Sequence, residues 1–217
     1  MIRLPEDTVA VSDLHYGHDK PFIWGPETDR GFQSADEHDK FLEEEALRVQ
    51  GKNLLFLGDF CLTCPWKKFE NFLKLFTGDI YMVWGNHNGN IKEFWNKRRD
   101  PNRRSPGPNY SARLFHGNYL HNLGNYAEVK WRGYNIVCFH YPILEWNKMH
   151  RGWWHLSGHV HNKYEVNSPF NESQKGLDIA VDNAILWGLQ KRGRKEAFFD
   201  MVDIEKIMDK KQIRPHY

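Results

Sequence analysis

The chain has 217 residues, a formal net charge of +2, and 40% hydrophobic and 27% charged residues. Those values suit one domain, residues 1–217, that buries enough apolar surface to fold without staples. Cys61, Cys64 and Cys138 are too few for a disulfide framework, no stretch reads as a signal peptide or a bilayer span, and the small charge excludes neither nucleic acid nor small anions.

A cytoplasmic protein without a membrane partner is therefore expected, with its cysteines as ordinary reduced thiols. Cys61 and Cys64 have CxxC spacing, but without a second pair this is a weak zinc or redox signal.

Residues 8–12 are short, β-branched and apolar, as in a buried strand, and Asp13 follows at the end. Over 38–50 the period becomes helical, with Phe41, Leu42, Ala46 and Val49 on one face and Gly51 closing the helix. Residues 54–57 form the next apolar strand and run into Gly58-Asp59. Over 66–76, Phe69, Phe72, Leu73 and Phe76 are spaced for helical burial. A third strand over 79–84 ends at Gly85-Asn86-His87. Strands separated by helices predict a parallel sheet, and ligands of open α/β sheets gather outside the carboxyl ends of strands.

The stretch 97–110 is basic and interrupted by Pro101, Pro106, Gly107 and Pro108, which reads as an exposed loop. It is either a solvated connection or an electropositive arm toward an anionic substrate. Strands are expected over 119–123, 126–131, 134–139, 177–181 and 196–202, with a hairpin turn at Arg132-Gly133 and a final helix over 204–210. Two sheets packed face to face, with helices outside, would use all of these elements.

Five fragments carry the chemistry: Asp13-Leu14-His15, Gly58-Asp59, Gly85-Asn86-His87, His140 and Gly158-His159-Val160-His161. Taken singly, each has a plain alternative as a cap, a turn or a chance pair in a chain with 12 histidines. Jointly they supply carboxylates, imidazoles and one amide oxygen, the donor set that holds two divalent cations. Such a centre activates water and attracts phosphate. The mixed donors admit manganese as the first choice, with nickel, iron(II) or zinc also suited.

On these fragments, which fall within 9–182, the chain resembles the calcineurin-like metallophosphoesterases, whose motifs run D-x-H, G-D, G-N-H-D/E, H and G-H-x-H. The run Asp13 to His18 together with His140-Tyr141-Pro142 looks most like a small bacterial and phage branch of predicted phosphoesterases. The resemblance implies a four-layer α/β/β/α sandwich of two packed mixed sheets. It also implies that Asp13, His15 and His161 hold one metal, that Asn86, His140 and His159 hold the other, and that Asp59 bridges them. His87 would be the catalytic residue, contacting phosphate or assisting the leaving group. A metal-bridging hydroxide would make the attack, so no phosphoenzyme is expected.

Two departures bear on substrate. Asn88 stands where the family usually has Asp or Glu, which would weaken His87 as a general acid; Asn88 and His18 are expected to border the substrate. Phe60-Cys61 after Asp59 replaces the continuation that carries a phosphoserine-clamping arginine, so phosphoprotein is a poor substrate. Trp24, Trp153 and Trp154 could stack on a nucleobase, though core packing is the commoner use of indoles. The reading is a phosphodiesterase or phosphatase acting on a small phosphate ester of a nucleotide or nucleic-acid fragment. The alternatives are a DNA or RNA nuclease of the same fold and a non-catalytic interaction scaffold.

Overall fold

The structure, a computed structural model, describes residues 1–62, 65–89, 91–92, 110–114 and 116–214. Strands β1 (Ile2–Arg3), β2 (Thr8–Val11), β3 (Asn53–Phe56), β4 (Ile80–Met82), β5 (Tyr110–Arg113) and β6 (Tyr119–Asn122) come first in the chain. They are followed by β7 (Tyr126–Trp131), β8 (Tyr134–Phe139), β9 (Trp154–Ser157), β10 (Gly176–Asp178) and β11 (Phe199–Asp200). One sheet has the order β11-β2-β3-β4-β6-β5 and the other β1-β7-β8-β9-β10. As expected, β2, β3 and β4 pair in parallel and β7–β8 is an antiparallel hairpin.

Side-chain alternation divides the core into layers. Val9, Val11, Leu54, Phe56, Ile80 and Met82 share one apolar cluster with Leu42 and Ala46 of helix Ala35–Arg48 and with Phe69 and Phe72 of helix Trp66–Leu73. Ala10, Leu55 and Tyr81 point the other way and meet Val129, Trp131, Ile136, Cys138 and Trp154 of the second sheet. Burying each of these large side chains contributes roughly 1.5–3 kcal/mol. The architecture is thus the expected sandwich of two mixed sheets with helices. Trp146 and Trp153 cover the outer face of the second sheet at Val137.

Helix Ala35–Arg48 starts three residues earlier than its periodicity suggests, because the Ser34 side chain accepts the Glu37 N–H at 3.1 Å and caps it. The strand expected over 196–202 shrinks to Phe199–Asp200, since Asp200 accepts the Val202 N–H and starts helix Met201–Lys210. Helix Val181–Arg192 is an addition where only a strand end was expected. Apart from Tyr110, which opens β5, the basic stretch lies outside the described residues after Lys92. Cys61 is disulfide-bonded, against the expectation of a reduced thiol, while Cys138 is free and buried. No helix among the described residues is long and apolar enough to cross a membrane.

Candidate metal centre

The five fragments meet at one end of the sandwich, where the strands run out. Backbone hydrogen bonds knit them: Asp13 N–H donates to Gly58 O at 3.0 Å, His15 N–H to Asp59 O at 3.1 Å, and Gly158 N–H to His140 O at 2.8 Å. A parallel bridge between Ser12 and Ala180 joins the two sheets beside them.

Asp13, His15, Asp59, His159 and His161 all have positive φ, between 48° and 72°. That left-handed region is uncommon outside glycine, and such strain clusters at functional sites when the surroundings over-determine it. Two glycines make room for the carboxylates. A Cβ on Gly85 would lie 2.1 Å from Asp59 Oδ1, and one on Gly158 would lie 2.2 Å from Asp13 Oδ2.

The side chains converge in two groups, Asp13 with His15 and His161, and Asp59 with His140 and His159. In each group the donor atoms lie within 4.8 Å of one another. The Nε2 atoms of His15 and His161 are 3.2 Å apart, and Asp13 Oδ1 lies 3.7 and 3.6 Å from them. His140 Nε2 is 3.2 Å from Asp59 Oδ2 and 3.0 Å from Asn86 Oδ1, so Asn86 joins the second group.

These residues fit cations. Asp13 Oδ2 is held by the Ser12 hydroxyl and the His159 N–H, but its buried Oδ1 has no hydrogen-bond partner. His140 Nδ1–H donates to Leu57 O at 2.8 Å, and His161 Nδ1–H donates to Asp182 Oδ2 at 2.9 Å. Both bonds fix the tautomer that turns Nε2 inward, the usual arrangement behind a metal-ligating histidine. Burial alone would lower the His140 pKa, yet the Asp59 and Asp13 carboxylates push it up to about 9. Burial would raise Asp13, but the neighbouring His15, His161 and His140 rings hold it well below the carboxylate range. The Asp13 and Asp59 carboxylates thus favour a positive charge at His140.

Behind the first group lies a fully buried arginine. Arg30 donates through Nη2 to Asp13 O at 2.6 Å, through Nη1 to Leu14 O at 3.0 Å, and through Nε and Nη2 to both carboxylate oxygens of Asp182. Asp182 in turn holds His161. The Arg30–Asp182 pair is therefore the brace on which the first ligand group rests. Sequence reasoning found neither residue, because 152 positions separate them and neither sits in a local pattern.

The sequence profile described as calcineurin-like phosphoesterase matches residues 8–188, most of the chain and every fragment above. The chain belongs to the calcineurin-like phosphoesterase family. No curated protein and no solved structure matched in the other two comparisons. As a member of that family it is a metal-dependent phosphoester hydrolase, and the two ligand groups are where a dinuclear centre would sit.

A cleft of about 490 Å³ opens over the centre, with His15, Asp59, His87, His159 and His161 among its walls. His87 is half-buried, and its backbone N–H donates to Asp59 Oδ1 at 2.9 Å. Asn88 does not face substrate as expected. It is fully buried, and its Oδ1 accepts N–H groups from Asp59 and Gly85, both at 2.8 Å, so it ties two ligand loops together. No hydrogen bond joins it to the His87 ring, which removes the reason to link Asn88 to general-acid strength.

His18 is likewise buried and does not line the cleft; its Nδ1 accepts the Lys20 N–H and its carbonyl accepts the Trp24 indole N–H. Trp24, Trp153 and Trp154 are all buried packing residues.

Proposed function

We propose that this phosphoesterase hydrolyses a phosphodiester of a nucleotide or nucleic-acid fragment, with manganese as its metal. The observation that carries the reading is the meeting of two ligand groups in the floor of one open cleft. Asp13, His15 and His161 would hold one cation, Asn86, His140 and His159 the other, with Asp59 between them. When bound, two such cations supply positive charge for the phosphoryl oxygens and a water acidic enough to be ionised near neutral pH.

The chain's own residues do the remainder. His87 stands on the cleft wall, fixed by its N–H bond to Asp59, where its ring meets the leaving oxygen and delivers a proton. Asp13 and Asp59 serve here as ligand carboxylates rather than as nucleophiles, and water makes the attack. Phe60, directly after Asp59, is fully buried in the apolar core. The run Phe60-Cys61-Leu62-Thr63 after Asp59 contains no arginine to clamp a phosphoserine, which favours a small ester over a phosphoprotein. The mixed oxygen and nitrogen donor set suits manganese.

A chromogenic phosphodiester assayed against the matching monoester, with manganese, nickel, zinc and magnesium in turn, tests the reading. Faster turnover of the diester with manganese supports it. Turnover of the monoester alone would contradict it.

A further inference from the structure

The three tryptophans that could have met a base are buried, but the phenyl ring of Phe22 lines the cleft. We propose that Phe22 is a stacking platform for a single nucleobase of the substrate, a reading that rests on the phosphoester hydrolysis proposed above. Phe22 is 71% exposed and lines the same cleft as His15 and His161. Its ring centroid is 5.2 Å from that of His18, which is 5.8 Å from that of His15. One side chain thus separates the exposed ring from a metal-group histidine, a span suited to a base joined to phosphate through a sugar.

The ring is not a loose surface group. It sits on the single helical turn Pro21–Trp24, whose Ile23 and Trp24 are buried and whose Trp24 indole donates to His18 O at 2.7 Å. Arg30 ends the same wall and fastens it to Asp13 and Leu14. An apolar ring held open to water by a braced wall, beside a polar centre, offers one face to a planar partner.

Among the described residues, the exposed charges of this cleft beyond the centre are Glu27, Asp29 and Lys163. Two acids against one base make these described residues a poor cationic track for a polynucleotide backbone, which favours a substrate with one nucleoside here.

Calorimetry on the manganese-loaded protein, with adenosine 5′-monophosphate and ribose 5-phosphate as ligands, isolates the base. Base–aromatic stacking corresponds to roughly tenfold in affinity or more. The nucleotide should bind about tenfold more tightly than the sugar phosphate to the unaltered protein. Phe22→Ala should reduce nucleotide binding to the sugar-phosphate level, leave ribose 5-phosphate unchanged, and be rescued by Phe22→Trp. Equal binding of the two ligands to the unaltered protein would overturn the proposal, as would an equal loss for both in Phe22→Ala. Hydrolysis is measured in parallel. Base-dependent binding without turnover of any ester would sink the reaction and keep the platform, whereas turnover without base dependence would do the reverse.

Discussion

His15 and His161 point their Nε2 atoms at each other across 3.2 Å, with the unpartnered Oδ1 of Asp13 beside them. Because His161 spends its Nδ1–H on Asp182, its Nε2 presents a lone pair to this gap. Three polar atoms this close, one of them a buried carboxylate oxygen without a hydrogen-bond partner, make a ready cage for a cation. Metal binding should therefore stabilise the fold, since it acts only on the native state. Removing metal with a chelator should lower the melting temperature by several degrees, and manganese should restore it with two ions per chain by elemental analysis. An unchanged melt across that cycle would count against the arrangement.

Arg30 and Asp182 make the next prediction. Asp182→Ala leaves a buried guanidinium without its carboxylate, which costs about 3–5 kcal/mol. It also frees the His161 ring, so metal affinity at the first group should fall by about 10- to 100-fold. Denaturant unfolding and a metal titration read the two effects separately. If affinity stayed the same in a folded variant, the brace would have no functional part.

Gly85 tests how closely the carboxylates are fitted. The added methyl of Gly85→Ala would overlap Asp59 Oδ1 and crowd the Asp59 N–H, whose partner is Asn88. Turnover should fall by about 100-fold, the scale expected when a site is displaced by about 1 Å. Steady-state kinetics beside circular dichroism would show it; near-normal kcat would mean that Asp59 can move without consequence.

Asn88 gives a paired test. Asn88→Ala strands two buried N–H groups, at about 1–3 kcal/mol each, and loosens Asp59. Asn88→Asp keeps an oxygen acceptor for both and should retain most of the stability and activity. The leaving-group dependence of the rate should be the same in the unaltered protein and in Asn88→Asp, because the residue does not touch the His87 ring. A changed slope would return Asn88 to the reacting side.

His155 sets an acid limit on stability. It is fully buried, Nδ1–H donates to Val137 O and Nε2 accepts the Ile143 N–H, and burial pushes its pKa down to about 4. The unfolded chain binds the proton near 6.5, so unfolding takes up a proton between those values. The contribution is complete above about pH 6.5 and is lost as pH falls toward 4, a change of about 3 kcal/mol. Urea unfolding at about pH 7 and about pH 4.5 should show most of that drop, and His155→Gln should reduce the slope without abolishing it, because buried His38 is likewise pushed down to about 4. An equal slope in the variant would assign the effect elsewhere.

The ligand-bearing strand ends were legible because each apolar run stops at a glycine, aspartate or histidine, and parallel pairing then brings the ends together. Helix Val181–Arg192 was not legible for a physical reason. Val181 and Ile185 pack into one core cluster while Ala184 and Trp187 pack into the other, so it lacks the single apolar face that marks a helix. Strand β9 is buried at all four positions and carries His155, so its pattern does not alternate. Arg30, Asp182 and the buried setting of Asn88 depend on contacts between distant segments, which no local pattern reveals. The left-handed backbone of the ligands is also silent in sequence, because aspartate and histidine stand where glycine would be easiest.

The most direct measurement is anomalous diffraction at the manganese edge from crystals grown with that metal. Two peaks are expected, one among Asp13, His15 and His161 and one among Asn86, His140 and His159, with Asp59 reaching both. A single peak, or peaks away from these side chains, would contradict the dinuclear centre.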